Sequence, residues 1–141
     1  MKLEIAQKIV AAALASSRSH GFKPLGVAVL DARGALKAFA AEDGTSLRRA
    51  EIATGKAHGA LAMGLGSRTI GKMAAERPHF VAAVTHAVGG SLIPVPGGVL
   101  VRDSAAAVIG AVGVTGDTSD NDEVAAVAGI TAVGLKADPG A

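Results

Sequence analysis

The 141-residue chain contains no cysteine, no tryptophan and no tyrosine, and only 3 phenylalanines. Without cysteine there is no disulfide, no thiolate metal site, no cysteine nucleophile and no covalent Cys-x-x-Cys-His attachment of haem. Without tryptophan or tyrosine the chain has almost no rings on which bases could stack. Its 14 Lys and Arg against 12 Asp and Glu are dispersed rather than gathered in one basic stripe, so nucleic acid is not expected as a partner. A membrane span is also missing. The longest uncharged run, from Pro78 to about Leu100, is interrupted by Gly89-Gly90, Pro94 and Pro96. The opening MKLEIAQKIVAAALASS superficially resembles a secretory leader, but Glu4 and Lys8 break the apolar stretch, and Leu3, Ile5, Ala6, Ile9, Val10 and Ala13 recur at helical spacing. We read a first helix of a mature, cytoplasmic protein. Gly110, Gly113 and Gly116 fit neither the dinucleotide nor the P-loop pattern, and no Gly-x-Ser-x-Gly elbow or His-x-x-x-His pair occurs.

What the chain has in abundance is small and apolar. Half of its residues are hydrophobic, 19 are glycine, and the mean hydropathy is +0.42, high for so short a soluble chain. Its surface should therefore suit contact with copies of itself, and a homo-oligomer is expected. The length fits a single domain over residues 1–136, with residues 137–141 a loose tail. The first helix should end at His20-Gly21. LGVAVLD and ALKAFA then form a hairpin about Asp31-Ala32-Arg33-Gly34. Thr45 or Ser46 should cap a helix reaching Met63, whose Ala-rich face implies a near neighbour. Short helical pieces follow from Ser67 and Pro78. SLIPV, GVLVRD and AVIGAVGV read as strands, and Asp120 with Glu123 as a capping box opening a last helix. Strands joined by short turns cannot be parallel. The fold class is α+β, an α/β sandwich in which about five antiparallel strands are flanked by helices in the order α-ββ-α(α)-βββ-α.

Chemistry-bearing residues are few. Arg49 and Lys56 lie seven apart on one helix face, and Gly97-Gly98 would let a ligand approach the backbone, so together they suggest a cationic wall for a carboxylate. A carboxylate such as Asp117 or Asp122 near a lysine could transfer protons. Asp117, Asp120, Asp122 and Glu123 crowd the turn after Gly116, which suits helix capping better than anion capture. His79 and His86 are too far apart to chelate one small ion, so no metal site is expected.

Four segments in order, GVAVLDARGALKAF, IATGKAHGAL, PGGVLVRD and GAVGVTGDTSDNDEVAAVAG, resemble the GlcG/HbpS family, to which the C-terminal domain of PduO-type cobalamin adenosyltransferases is also similar. The resemblance extends to about Leu135. It implies a small α/β domain with an antiparallel sheet, assembly into oligomers, and haem binding as reported for some members. Where the family pattern reads Lys-Ala-basic-Thr-small, this chain has Lys56-Ala57-His58-Gly59-Ala60, which makes His58 the leading haem ligand. The expected function is binding of haem or a carboxylated small molecule through Lys56, His58, Arg49, Gly97 and Gly98. The alternatives are a cofactor-free enzyme acting on a small carboxylated or carbonyl metabolite, and an oligomeric accessory subunit.

Overall fold

The computed structural model describes residues 1–141. Helix α1 (Leu3–His20) leads through the hairpin β1 (Gly26–Asp31) and β2 (Leu36–Ala41) to three consecutive helices, α2 (Arg49–Met63), α3 (Ser67–Glu76) and α4 (Pro78–Ala87). Strands β3 (Gly98–Arg102) and β4 (Val108–Thr115), helix α5 (Ser119–Ala132) and the short β5 (Lys136–Asp138) complete the chain. All neighbouring strands are antiparallel, in the order β2-β1-β4-β3-β5. The expected α+β class and five-stranded antiparallel sheet are therefore present. No helix is long and apolar enough to cross a membrane.

Alternation of side chains along the central strands divides the interior. Val27, Val29, Val99, Val101, Val112 and Val114 turn to one face, where α1 and α5 supply Ala6, Ile9, Ala13, Ala125, Ala126 and Ile130. Leu30, Leu100 and Ala111 turn to the other, where they meet Ala57 and Ala60 of α2. On this second face helix and sheet approach unusually closely. A Cβ on Gly113 of β4 would stand 1.8 Å from the Ala53 carbonyl oxygen, so only glycine lets the α2 backbone lie on the strand. The Ala-rich face of α2 thus has the near neighbour that its composition implied.

Three local expectations change. SLIPV is not a strand: Pro94 and Pro96 lack the N–H groups a ladder needs, and the segment instead lies on α2, where the Ile93 N–H donates to the Gly55 carbonyl. The place beside β3 is filled by β5, which pairs Leu100 with Asp138 and Arg102 with Lys136. The C-terminal residues expected to be loose are consequently tied down. Arg102 pairs with Asp138, the Pro139 carbonyl accepts from the Arg68 N–H at the start of α3, and the Ala141 N–H donates to Thr69 Oγ1. Finally, α2 begins after Arg48 without a side-chain cap, and α5 is capped by Thr118, whose Oγ1 accepts the Asn121 N–H.

Candidate functional site

Lys56 of α2 is drawn into the interior. Its side chain is 2% exposed, and its Nζ donates to the Val114 carbonyl at 2.9 Å and to Asp122 Oδ2 at 3.0 Å. Asp122, equally buried, accepts the Asp117 N–H on its other oxygen at 2.9 Å. Burial pushes the Lys56 ammonium below its ordinary value and the Asp122 carboxyl above its own, each against the pull of the opposite charge. Gly97, at φ +118, and Gly98 close over this pair. A Cβ on the first would meet Lys56 Nζ at 2.9 Å, and one on the second would meet the Lys56 carbonyl oxygen at 2.3 Å. Arg49, one face along the helix, donates to Thr115 Oγ1 at 2.9 Å. Four of the five residues singled out in the sequence therefore gather where α2 crosses the ends of β3 and β4. Lys56 and Asp122 do converge, but neither lines an open cleft.

The acidic turn is likewise committed to structure. Asp117 accepts the Lys23 N–H at 2.6 Å and further bonds from the Thr118 N–H and the Asn121 amide, which hold its carboxyl down at about 2. Asp120 and Glu123 both take Arg68 of α3. They are not a capping box, because Thr118 stands ahead of them at the cap.

His58 faces elsewhere. Two residues beyond Lys56, its ring is half-buried, with Nδ1 at 2.8 Å from the Ser91 carbonyl oxygen. Against a carbonyl, Nδ1 must carry the proton, which leaves the lone pair on Nε2. Nε2 has no hydrogen-bond partner and is not a buried orphan, so it reaches solvent. Gly34 of the hairpin turn borders the ring, a Cβ there standing 3.4 Å from His58 Cδ2. Ser91 also lines a groove of about 400 Å³ between α2 and the segment after α4, together with Glu51, Ile52, Gly55, Gly89, Gly90 and Ile93. Thr54 and Ala50 extend the same side of α2. Gly89 and Gly90, at φ +83 and +87, turn the chain so that the groove stays open. His20, His79 and His86 are exposed and lie on other elements. The sequence marked His58 but not Ser91 or Glu51. The only hint of the groove was the glycine pair read as a helix break.

Residues 1–131 match the family described as haem degrading protein HbpS-like. The chain belongs to the HbpS-like family. Among solved structures it is similar to HbpS itself, at 27% identity and TM-score 0.80 over 94% of this chain and 89% of that one. The same fold appears in a PduOC–haem complex, at 20% identity and TM-score 0.85 over 96% of each chain. It appears again in the Klebsiella pneumoniae protein ORFY, at 23% identity and TM-score 0.84 over 95% and 90% of the two chains. No curated protein sequence matches the chain significantly.

Proposed function

We propose that this HbpS-like chain binds a small ligand against the outer side of α2, with haem as the leading ligand and His58, whose Nε2 lies beside Gly34 of the hairpin turn, as its iron-binding residue. The observation that carries the reading is the His58 imidazole, anchored through Nδ1 to a backbone carbonyl and without a hydrogen-bond partner at Nε2, the arrangement that orients metal-bound histidines. The donor set suits haem. One neutral imidazole suffices for iron, and Ile52 and Ile93 offer apolar wall on the neighbouring stretch of α2 and its overlying segment, while Arg33 beside Gly34 is already paired with Asp31. When bound, haem supplies a redox-active iron, while the chain's own part is to hold the imidazole and cover one face. The similarity to HbpS and to a haem-bound PduOC supports the choice of ligand.

Haemin titration tests this directly. The wild-type chain should develop a Soret band saturating at one haem per chain, and His58→Ala should abolish it, while His20→Ala, His79→Ala and His86→Ala leave it unchanged. A Soret band that survives His58→Ala but disappears with another histidine would overturn the assignment.

Self-association belongs to the same reading. Leu3, Leu36, Phe39 and Leu47 are large apolar side chains left exposed on the monomer, and β2 is an edge strand. Light scattering should give a mass above the 13.8 kDa of one chain at micromolar concentration.

A further inference from the structure

A second cavity lies away from the groove, at the opposite face of the sheet. Helix α1 begins at Leu3 and α5 ends at Ala132, and between these two helix ends the first residues of β4 are left partly uncovered. Met1, Lys2, Ile5, Ile109, Val133 and Leu135 line the resulting cleft of about 290 Å³. Five of the six are apolar. A cavity of about 150 Å³ already accepts a benzene ring, so this one has room for a medium-length alkyl chain or a pair of rings. Gly110 helps to keep it hollow, since a Cβ there would stand 3.0 Å from the Met1 Cε and 2.3 Å from the Leu30 carbonyl oxygen. The one polar side chain in the lining is Lys2, which is exposed and joins none of the eight ion pairs, and no acid lines the cleft.

An apolar concavity with unpaired positive charge and no acid in its lining matches a molecule with an apolar body and an anionic head. We infer that the cleft between the start of α1 and the end of α5 binds a small amphipathic carboxylate, its hydrocarbon part against Ile5, Ile109 and Val133 and its carboxylate at Lys2. It shares no residue with the His58 site, so either can exist without the other.

Decanoate is the probe. Calorimetric titration of the full chain should show saturable binding of one decanoate per chain. Lys2→Glu should weaken it at least tenfold, and decanol, which lacks the charge, should bind the wild type more weakly than decanoate. Val133→Phe, which fills the cleft from a half-buried position, should abolish binding while leaving the melting temperature near that of the wild type. If Val133→Phe unfolds the chain, the amide resonances of Ile5, Ile109 and Leu135 in the wild type serve instead and should shift with decanoate. His58→Ala should leave decanoate binding unchanged. Absence of saturation up to millimolar decanoate, indifference to Lys2→Glu, or loss of binding in His58→Ala would overturn the inference.

Discussion

Replacing Asp122 by alanine tests the organisation of the interior most sharply. The carboxylate is the only acid touching the Lys56 ammonium, and both side chains are 2% exposed, so the variant leaves a cation whose one remaining acceptor is the Val114 carbonyl. Removing one partner of a buried pair costs about 3–5 kcal/mol, because the other charge stays desolvated and unmatched. Total stability is only about 5–15 kcal/mol. At roughly 3 °C per kcal/mol for a chain of this size, the melting temperature should fall by about 9–15 °C. Lys56→Met differs in the sign of its pH dependence, since a buried carboxyl without its cation becomes neutral by taking up a proton, whereas a buried amine without its acid becomes neutral by losing one. Burial already raises the Asp122 pKa above the ordinary carboxylate value, and loss of Lys56 raises it further. A group whose pKa is raised by folding favours the folded state below its unfolded pKa and loses that advantage as pH rises through the folded one. The deficit of Lys56→Met should therefore shrink on acidification, while that of Asp122→Ala should not. The double variant Lys56→Met/Asp122→Asn, which keeps an acceptor for the Asp117 N–H, should recover at least half of the loss seen in Asp122→Ala. Thermal melts of the three variants at two pH values decide it. If Asp122→Ala melts within about 2 °C of the wild type, or the double variant recovers none of the loss seen in Asp122→Ala, the buried pair is not coupled and the reasoning fails.

Thr118→Ala should cost about 0.5–2 kcal/mol as loss of the α5 cap. Asp120→Ala should cost less in the same denaturant series, because it removes one exposed ion pair with Arg68, of a kind contributing about 0–1 kcal/mol. The opposite ranking would return the cap to Asp120. Gly113→Ala should destabilise by more than about 3 kcal/mol or prevent folding, since the added methyl meets backbone at 1.8 Å. Gly64→Ala, with open space around it at φ +66, should cost only about 1 kcal/mol. Asp117, held at about 2 against an ordinary 3.8, stabilises the fold above about pH 4, and that contribution should disappear as pH falls from about 4 to about 2. Asp117→Asn should flatten the stability profile in that window, as followed by circular dichroism.

Alternation and punctuation made much of this architecture legible. Gly21 and Gly34 take the left-handed conformations that their places in the sequence demanded, and the small residues of α2 foretold a close neighbour. Strand β5 was hidden because three residues are too few to show a period of two and are followed by Pro139 and Gly140, which read as loose chain. SLIPV misled in the opposite direction, its apolar run outweighing Pro94 and the Pro96 that follows it. The cap of α5 was misplaced by two residues because Thr118 and Asp120 both suit the role, and only the position of Arg68, drawing off Asp120 and Glu123, separates them. At the site, proximity of Lys56 to Asp122 could not be read from residues 66 apart in sequence. Ser91 contributes a carbonyl, which every residue carries, so no side-chain pattern could have marked it.

The segment Lys56-Ala57-His58 holds two opposed tasks within one helical turn. Two residues along a helix of 3.6 residues per turn rotate the side chain by about 200°, so a lysine that enters the sheet obliges the histidine to leave it. Lys56 is fixed by Val114 and Asp122, joining α2 to β4 and α5, and Gly113 lets the helix lie close enough for that bond to form. The close packing of α2 on the sheet sets the rotation of the helix and hence the direction of His58, whose Nδ1 then meets the Ser91 carbonyl. The conserved-volume change Lys56→Met should therefore alter stability and leave haemin binding to the folded fraction intact, because the sheet contacts of Ala53, Ala57 and Ala60 still orient the helix. His58→Ala should remove haemin binding and lower the melting temperature by no more than about 2–5 °C, a half-buried ring with one hydrogen bond contributing about 0.5–1.5 kcal/mol. A Lys56→Met chain that remains folded yet binds no haemin would place the ligand at the buried pair instead of at His58.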